Sequence, residues 1–131
     1  MVIENFINSN GGNNTTGNYN IALGNGALFY NTTGQGNIAL GADNLRYNTT
    51  GYFNTAVGGG ALLNNTTGGS NVALGYRALT YNTTGYQNVF LGYNAGSNET
   101  GSNKLYISNS NTSTPLIGGD FSAKTLSFAG N

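Results

Sequence analysis

The chain has 131 residues, and Gly, Asn and Thr, at 22, 24 and 16 positions, make up nearly half of it. Four basic and four acidic residues balance at net zero, and there is no Cys and no His. So few cations cannot track a phosphate backbone, so nucleic acid is not an expected partner. Without Cys or His there are no disulfides, thiol chemistry, ordinary zinc sites or His-based triads.

Residues 1–13 read as a partial first coil built on Val2–Ile7. The start, MVIENFINSN, has no basic region followed by an apolar one, so it does not read as a signal peptide. No apolar run approaches the roughly 18 residues a membrane helix requires, so no membrane insertion is expected.

Residues 14–107 are a tandem repeat. Asn20-Ile21-Ala22-Leu23-Gly24 returns at Asn37, Asn54, Asn71 and Asn88, 17 residues apart each time. Asn-Thr-Thr-Gly begins at Asn14, Asn31, Asn48, Asn65 and Asn82 with the same spacing, and a shortened copy starts at Asn98. Fixed spacing over five copies is the signature of a repeat architecture and argues against disorder. Helical hairpin repeats need about 30 residues or more, and recurrent Gly disfavours helix. The expected unit is two short strands, Asn20–Leu23 and Ala27–Tyr30, with two turns. Asn and Gly suit the first and fourth positions of a type I turn at each Asn-Thr-Thr-Gly. The fold expected is an all-β parallel β-roll, a solenoid of about six 17-residue coils, each adding about 4.8 Å.

Stacked coils turn equivalent residues into columns, and strand alternation sorts the columns by face. Phe29, Arg46, Leu63, Thr80 and Ser97 form a column that accepts charge and hydroxyls, so it is placed outside. Its neighbours Leu28, Leu45, Leu62 and Leu79 then point inward, and Gly96 ends that column. Ala22, Ala39, Ala56 and Ala73 form another column, which Phe90 ends. A large residue is gained where Leu is lost, in the same coil. Close-packed interiors require such compensation, so the Ala and Leu columns are placed face to face inside the roll. The flanking Ile21, Leu23, Ile38, Leu40, Val57, Val72, Leu74, Val89 and Leu91 then form an outer apolar stripe, of the kind that marks an interface. An obligate oligomer with this stripe at its contacts follows. The opposite assignment would make the stripe the core.

Residues 108–131 leave the repeat and are expected to cap the last coil. Ser108–Thr114 reads as a loop, and Leu116-Ile117 and Thr125–Phe128 as short strands. A bare last coil would otherwise invite edge pairing.

The strand N-[IV]-A-[LV]-G followed by G-x-x-A resembles the head repeats of YadA-like trimeric autotransporter adhesins. The longer unit with Asn-Thr-Thr-Gly resembles repeats of phage tail fibres and bacterial surface proteins. Residues 103–107 and 113–122 are similar to the connector that follows such repeats, and the resemblance spans roughly residues 14–128. It implies a left-handed roll, a parallel homotrimer, and an extracellular, cell-surface or virion location. In such fibres a self-cleaving chaperone domain often follows; none is read here, so the chain is taken as a fibre segment or a fragment of one.

Chemistry is sparse. No pair among Glu4, Asp43, Glu99 and Asp120 has an obvious catalytic arrangement. Gly58-Gly59-Gly60 lacks the Lys-Ser/Thr of a phosphate loop. Calcium rolls need a Gly-Gly-x-Gly-x-Asp unit in each turn, and only Gly118-Gly119-Asp120 comes near. No enzyme, cofactor or metal is expected. The Asn-Thr-Thr sites match the glycosylation acceptor pattern, but the turns already explain them. Tyr30, Tyr47 and Tyr81 share a column, with Tyr19, Tyr52 and Tyr86 nearby. Aromatic rings beside amides suit carbohydrate, and the same rings also suit plugging a corner of the roll. The function expected is a non-enzymatic structural or adhesive fibre module whose partners are itself and a cell-surface carbohydrate or protein. The alternative is an ice-binding solenoid that presents Thr15/Thr16 through Thr83/Thr84 as ladders.

Overall fold

A computed structural model describes residues 5–8 and 12–130. Val2, Ile3 and Glu4 of the expected first coil lie outside the described residues. There is one sheet of nine strands in sequential order, and no helix among the described residues. The strands are β1 (Asn5–Asn8), β2 (Asn20–Leu23), β3 (Ile38–Leu40), β4 (Thr55–Val57), β5 (Val72–Leu74), β6 (Val89–Leu91), β7 (Lys104–Ile107), β8 (Ile117–Asp120) and β9 (Thr125–Phe128). From β1 to β7 all pairings are parallel and winding, which makes a β-solenoid of about six turns. β7, β8 and β9 pair antiparallel.

Each coil contributes one strand to the sheet, not two. The strand forms where apolar and β-branched residues flank Ala. It stops at a glycine such as Gly41, whose φ of 128° is open to Gly alone and whose Cβ would lie 2.8 Å from the Gly58 carbonyl oxygen.

The segment expected as a second strand, Ala27–Tyr30, is a run of turns. Leu28, Leu45, Leu62 and Leu79 all sit at φ of 51–53°. This left-handed kink is why Ala27 and Leu28, adjacent in sequence, are both buried, which strand alternation forbids. A non-glycine residue there costs roughly 1–3 kcal/mol. Burying its Leu side chain returns about 1.5–3 kcal/mol. The two nearly cancel, so flanking bonds hold the kink: Leu45 N–H donates to the Ala61 carbonyl at 3.1 Å, and Asn48 N–H to the Leu45 carbonyl at 3.1 Å.

The expected outer column needs correction for the same reason. Phe29, Arg46 and Leu63 are half-buried on the flank, and Thr80 and Ser97 are buried. The Thr80 hydroxyl donates to the Arg77 carbonyl at 2.7 Å.

The interior is thin. Ala22, Ala39, Ala56, Ala73 and Phe90 enter from the sheet, and Leu28, Leu45, Leu62 and Leu79 from the kinks, all in one buried cluster. Ala27, Ala61, Ala78 and Ala95 complete it.

The remaining interior is polar. Asn31, Asn48, Asn65 and Asn82 form one buried ladder, and Asn20, Asn37, Asn54, Asn71 and Asn88 a second. In the first, Asn48 Nδ2 donates to Asn31 Oδ1 at 2.8 Å and to the Gly51 carbonyl at 3.0 Å. In the second, Asn54 receives no slack either: its backbone N–H and its Nδ2 both donate to Asn37 Oδ1 at 3.0 Å, and Nδ2 also donates to the Gly68 carbonyl at 2.9 Å. The Asn-Thr-Thr-Gly turn is therefore not closed by its own backbone. Asn31 bridges it by donating to the Gly34 carbonyl at 3.0 Å. The N–H groups of Thr32, Thr33 and Gly34 all point at the Thr49 carbonyl in the next coil, at 3.0–3.1 Å. A Cβ on Gly34 would meet the Asn31 and Asn48 amides and the Gly51 carbonyl at 2.3–2.6 Å. Here glycine is required by close approach.

Candidate interaction surface

The outer face of the sheet carries two side-chain columns. Ile21, Ile38, Thr55, Val72 and Val89 are in register, as are Leu23, Leu40, Val57, Leu74 and Leu91. Ile21 and Leu23 are each 40% exposed and Leu74 38%, while Ile38, Leu40, Val57, Val72, Val89 and Leu91 are half-exposed. Between the columns the Ala or Phe of each of these strands is fully buried. Leu105 and Ile107 of β7 continue both columns in register. The sequence hides their place in the stripe because the last coil is one residue short, although Lys104–Ile107 has the same apolar spacing as Asn88–Leu91.

The tyrosines lie elsewhere on the coil. Tyr30 and Tyr47 stack with ring centroids 5.3 Å apart and planes within 7°, and Tyr81, 55% exposed, stands two coils further on. Tyr76 and Tyr93 stack at 5.7 Å in another column. The Tyr52 ring covers Gly69, whose Cβ would lie 2.8 Å from it. The amides expected to bond sugar hydroxyls beside these rings are not on the surface. Asn31, Asn48 and Asn82, next to Tyr30, Tyr47 and Tyr81, are buried in the ladder.

The two threonines of each turn differ. The hydroxyls of Thr15, Thr32, Thr49 and Thr66 donate to the Thr carbonyl of the next coil at 2.9–3.1 Å. Thr33, Thr50, Thr67 and Thr84 are exposed, which leaves one hydroxyl column on a turn, not a flat two-column face.

Charge gathers at the C-terminal end of the coils. Lys104 Nζ donates to Asp120 Oδ2 at 2.6 Å. That bond comes first, followed by those from the Ser122 hydroxyl and the Ala123 N–H, in holding Asp120 well below the usual carboxylate range. The Asp120 hydrogen bond likewise raises Lys104. The Tyr106 hydroxyl donates to Glu99 Oε2 at 3.0 Å; burial first, then Glu99, pushes that phenol up. Glu99 Oε1 accepts from the N–H groups of Thr100 and Gly101 at 3.0 and 2.7 Å. It caps the shortened turn from the acceptor side, where the ladder asparagines close theirs by donating. Every group here is occupied by a structural partner. Among the described residues no three of His, Cys, Asp and Glu come together as metal ligands, and no helix is long and apolar enough to cross a membrane. Comparison with protein-family models, with characterised proteins and with solved structures gives no match.

Proposed function

We propose that the chain is a non-enzymatic structural and adhesive module, a trimeric head or shaft segment of a tail fibre or surface adhesin, at work outside the cell. The observation that carries this reading is the uncharged aliphatic face of the sheet. It lies over a core too thin to need it and is repeated at every coil. A face of this kind is stable in water when it meets another like it. The resemblance of the repeat to YadA-like heads and tail-fibre segments supports three copies, side by side and parallel, with the left-handed winding of those rolls. In this reading the Tyr30, Tyr47 and Tyr81 edges face outward and supply the contact with cell-surface carbohydrate.

Light scattering on the eluted protein tests the assembly. A trimer at micromolar concentration is expected. Leu40→Asp with Leu74→Asp should give single chains, because unpaired charges would be buried at the contact. A wild-type chain that stays monomeric sinks the reading. Glycan binding that is unchanged in the Tyr30, Tyr47 and Tyr81 alanine variants removes the carbohydrate role alone.

A further inference from the structure

The antiparallel hairpin β8–β9 follows the last coil in the place where a cap is expected. A cap would cover the open end of the interior. That end is instead closed by Phe90 and Tyr106, whose rings lie 4.8 Å apart against the core, with Glu99 tying down the Tyr106 hydroxyl. The hairpin continues the sheet sideways. β9 is exposed at all four residues, with Leu126 at 58% and Phe128 at 53%.

The register shows where those side chains point. Leu91 pairs with Ile107, Ile107 with Ile117, and Ile117 with Phe128. Val89 pairs with Leu105, Leu105 with Gly119, and Gly119 with Leu126. Directly paired residues share a face of the sheet in both parallel and antiparallel ladders. Leu126 and Phe128 therefore lie in the same two columns as Val89 and Leu91. The reversal of chain direction leaves the apolar face unbroken.

We infer, resting on the trimeric reading above, that the β8–β9 hairpin is part of the contact between copies of this chain, and that its outer face, Ile117, Leu126 and Phe128, extends the interface beyond the coils. Two observations favour a second copy as the occupant. The strip is continuous with the proposed interface. Its chemistry also fits, because no charged side chain interrupts the columns from β2 to β9 and the rows recur at the strand spacing. A parallel copy presents the same rows at the same spacing and meets every one. A recess of about 440 Å³ lined by Leu91, Gly92, Ile107, Ser108, Asn109 and Leu116 marks the junction of coil and hairpin. Leu116, 63% exposed, is the knob that a neighbouring copy carries at that height.

The test compares the two faces of one strand in the full chain. Leu126→Lys with Phe128→Lys charges the outer face, and Thr125→Lys charges the other. Light scattering should show the double variant as single chains with the β-type circular dichroism retained, and Thr125→Lys assembled like wild type. A double variant that assembles as wild type does overturns the inference. If the double variant loses its fold, a gentler probe decides. The chain has no cysteine, so a short bifunctional maleimide should join F128C into covalent dimers but leave T125C as single chains. Equal joining, or none, overturns the inference. A monomeric wild type overturns both this inference and the trimeric reading. Loss of assembly in the Leu40/Leu74 variant but not in the Leu126/Phe128 variant overturns the hairpin's role alone.

Discussion

The coils of β5 and β6 fill the same space in opposite ways. In the β5 coil Ala73 enters from the sheet and Leu79 from the kink, and both are fully buried. In the β6 coil Phe90 enters from the sheet, and the kink holds Gly96. A Cβ on Gly96 would lie 2.0 Å from the Phe90 ring, so the ring occupies the space that Leu takes elsewhere. The backbone does not register the exchange. Gly96 has φ of 51°, and Leu79 has 52°. The left-handed kink thus belongs to the coil, not to the residue that happens to occupy it. What the interior conserves is volume and backbone path.

Substitutions at Phe90 and Gly96 break this comparison most severely. Phe90→Ala leaves an empty space beside Tyr106 and should destabilise by about 3–5 kcal/mol. Gly96→Leu alone drives a side chain into the ring and should destabilise by about 1–3 kcal/mol. The double variant restores the Ala/Leu arrangement of β5. Leu already holds this φ in four other coils, so the backbone poses no obstacle. Urea denaturation of the four proteins should show non-additivity of about 1–3 kcal/mol. Additive effects would mean that the two side chains do not share one space.

The ladders are common to both coils until Asn82, and they sharpen the comparison between polar and apolar filling. Asn48→Ala removes the bonds to Asn31 Oδ1 and the Gly51 carbonyl and the bond accepted from Asn65 Nδ2. The Gly51 carbonyl keeps its bond from Asn37 Nδ2, but Asn31 Oδ1 loses its ladder donor while buried. A loss of about 1–3 kcal/mol is expected from that acceptor. Asn48→Asp should be worse, since a carboxylate cannot donate to either. Thermal melts of the two variants check the order.

Period 17 made much of this legible in advance. Once the spacing fixes the columns, one substitution in a column speaks for the others, and Phe90 with Gly96 points to the interior. The left-handed leucines were hidden because Leu so seldom takes positive φ that Ala27–Tyr30 reads as a strand. The ladders were hidden because Asn before Thr-Thr-Gly reads as a turn former. A signal was present all the same. A turn would accept Asp or Ser at that position, yet all five complete copies keep Asn, as do all five strand starts. A buried amide that must both donate and accept explains that strictness.

At the C-terminal end Asn gives way to charge, and pH separates the two chemistries. Asp120 is depressed, mainly by its bond from Lys104. A depressed acid contributes stability that is present above its unfolded value, about 3.9, and that is lost as pH falls through the folded one. Lys104 is raised by the same bond, so its contribution is lost only at high pH, as pH climbs through the folded value. The Asn ladders of the coils carry no titratable side chain. Hydrogen exchange should therefore show the β7–β9 amides losing protection below about pH 4 while the ladder amides keep theirs. Asp120→Asn should remove the difference.

The smallest effect concerns Arg46, which lies beside the fully buried Leu45 and tests how sharply inside and outside divide within one kink. Arg46 pairs with Asp43 three residues earlier, and its guanidinium lies 5.2 Å from the centre of the Phe29 ring. Both contacts look substantial, and the paired Asp43 raises the guanidinium further. Yet the two charged side chains remain 31% and 47% exposed, and water and salt screen pairs of that kind. The column also accepts Leu63, Thr80 and Ser97 in other coils without a change in backbone path, so no packing demand fixes Arg. Arg46→Ala should move the melting temperature by less than about 2 °C, as changes at half-exposed positions do. Leu45→Ala, one residue away, should lower it several times further through the space it leaves in the buried cluster. Equal shifts for the two variants would mean that the kink does not separate the interior from the flank, and that the buried Leu column is not what stabilises the roll.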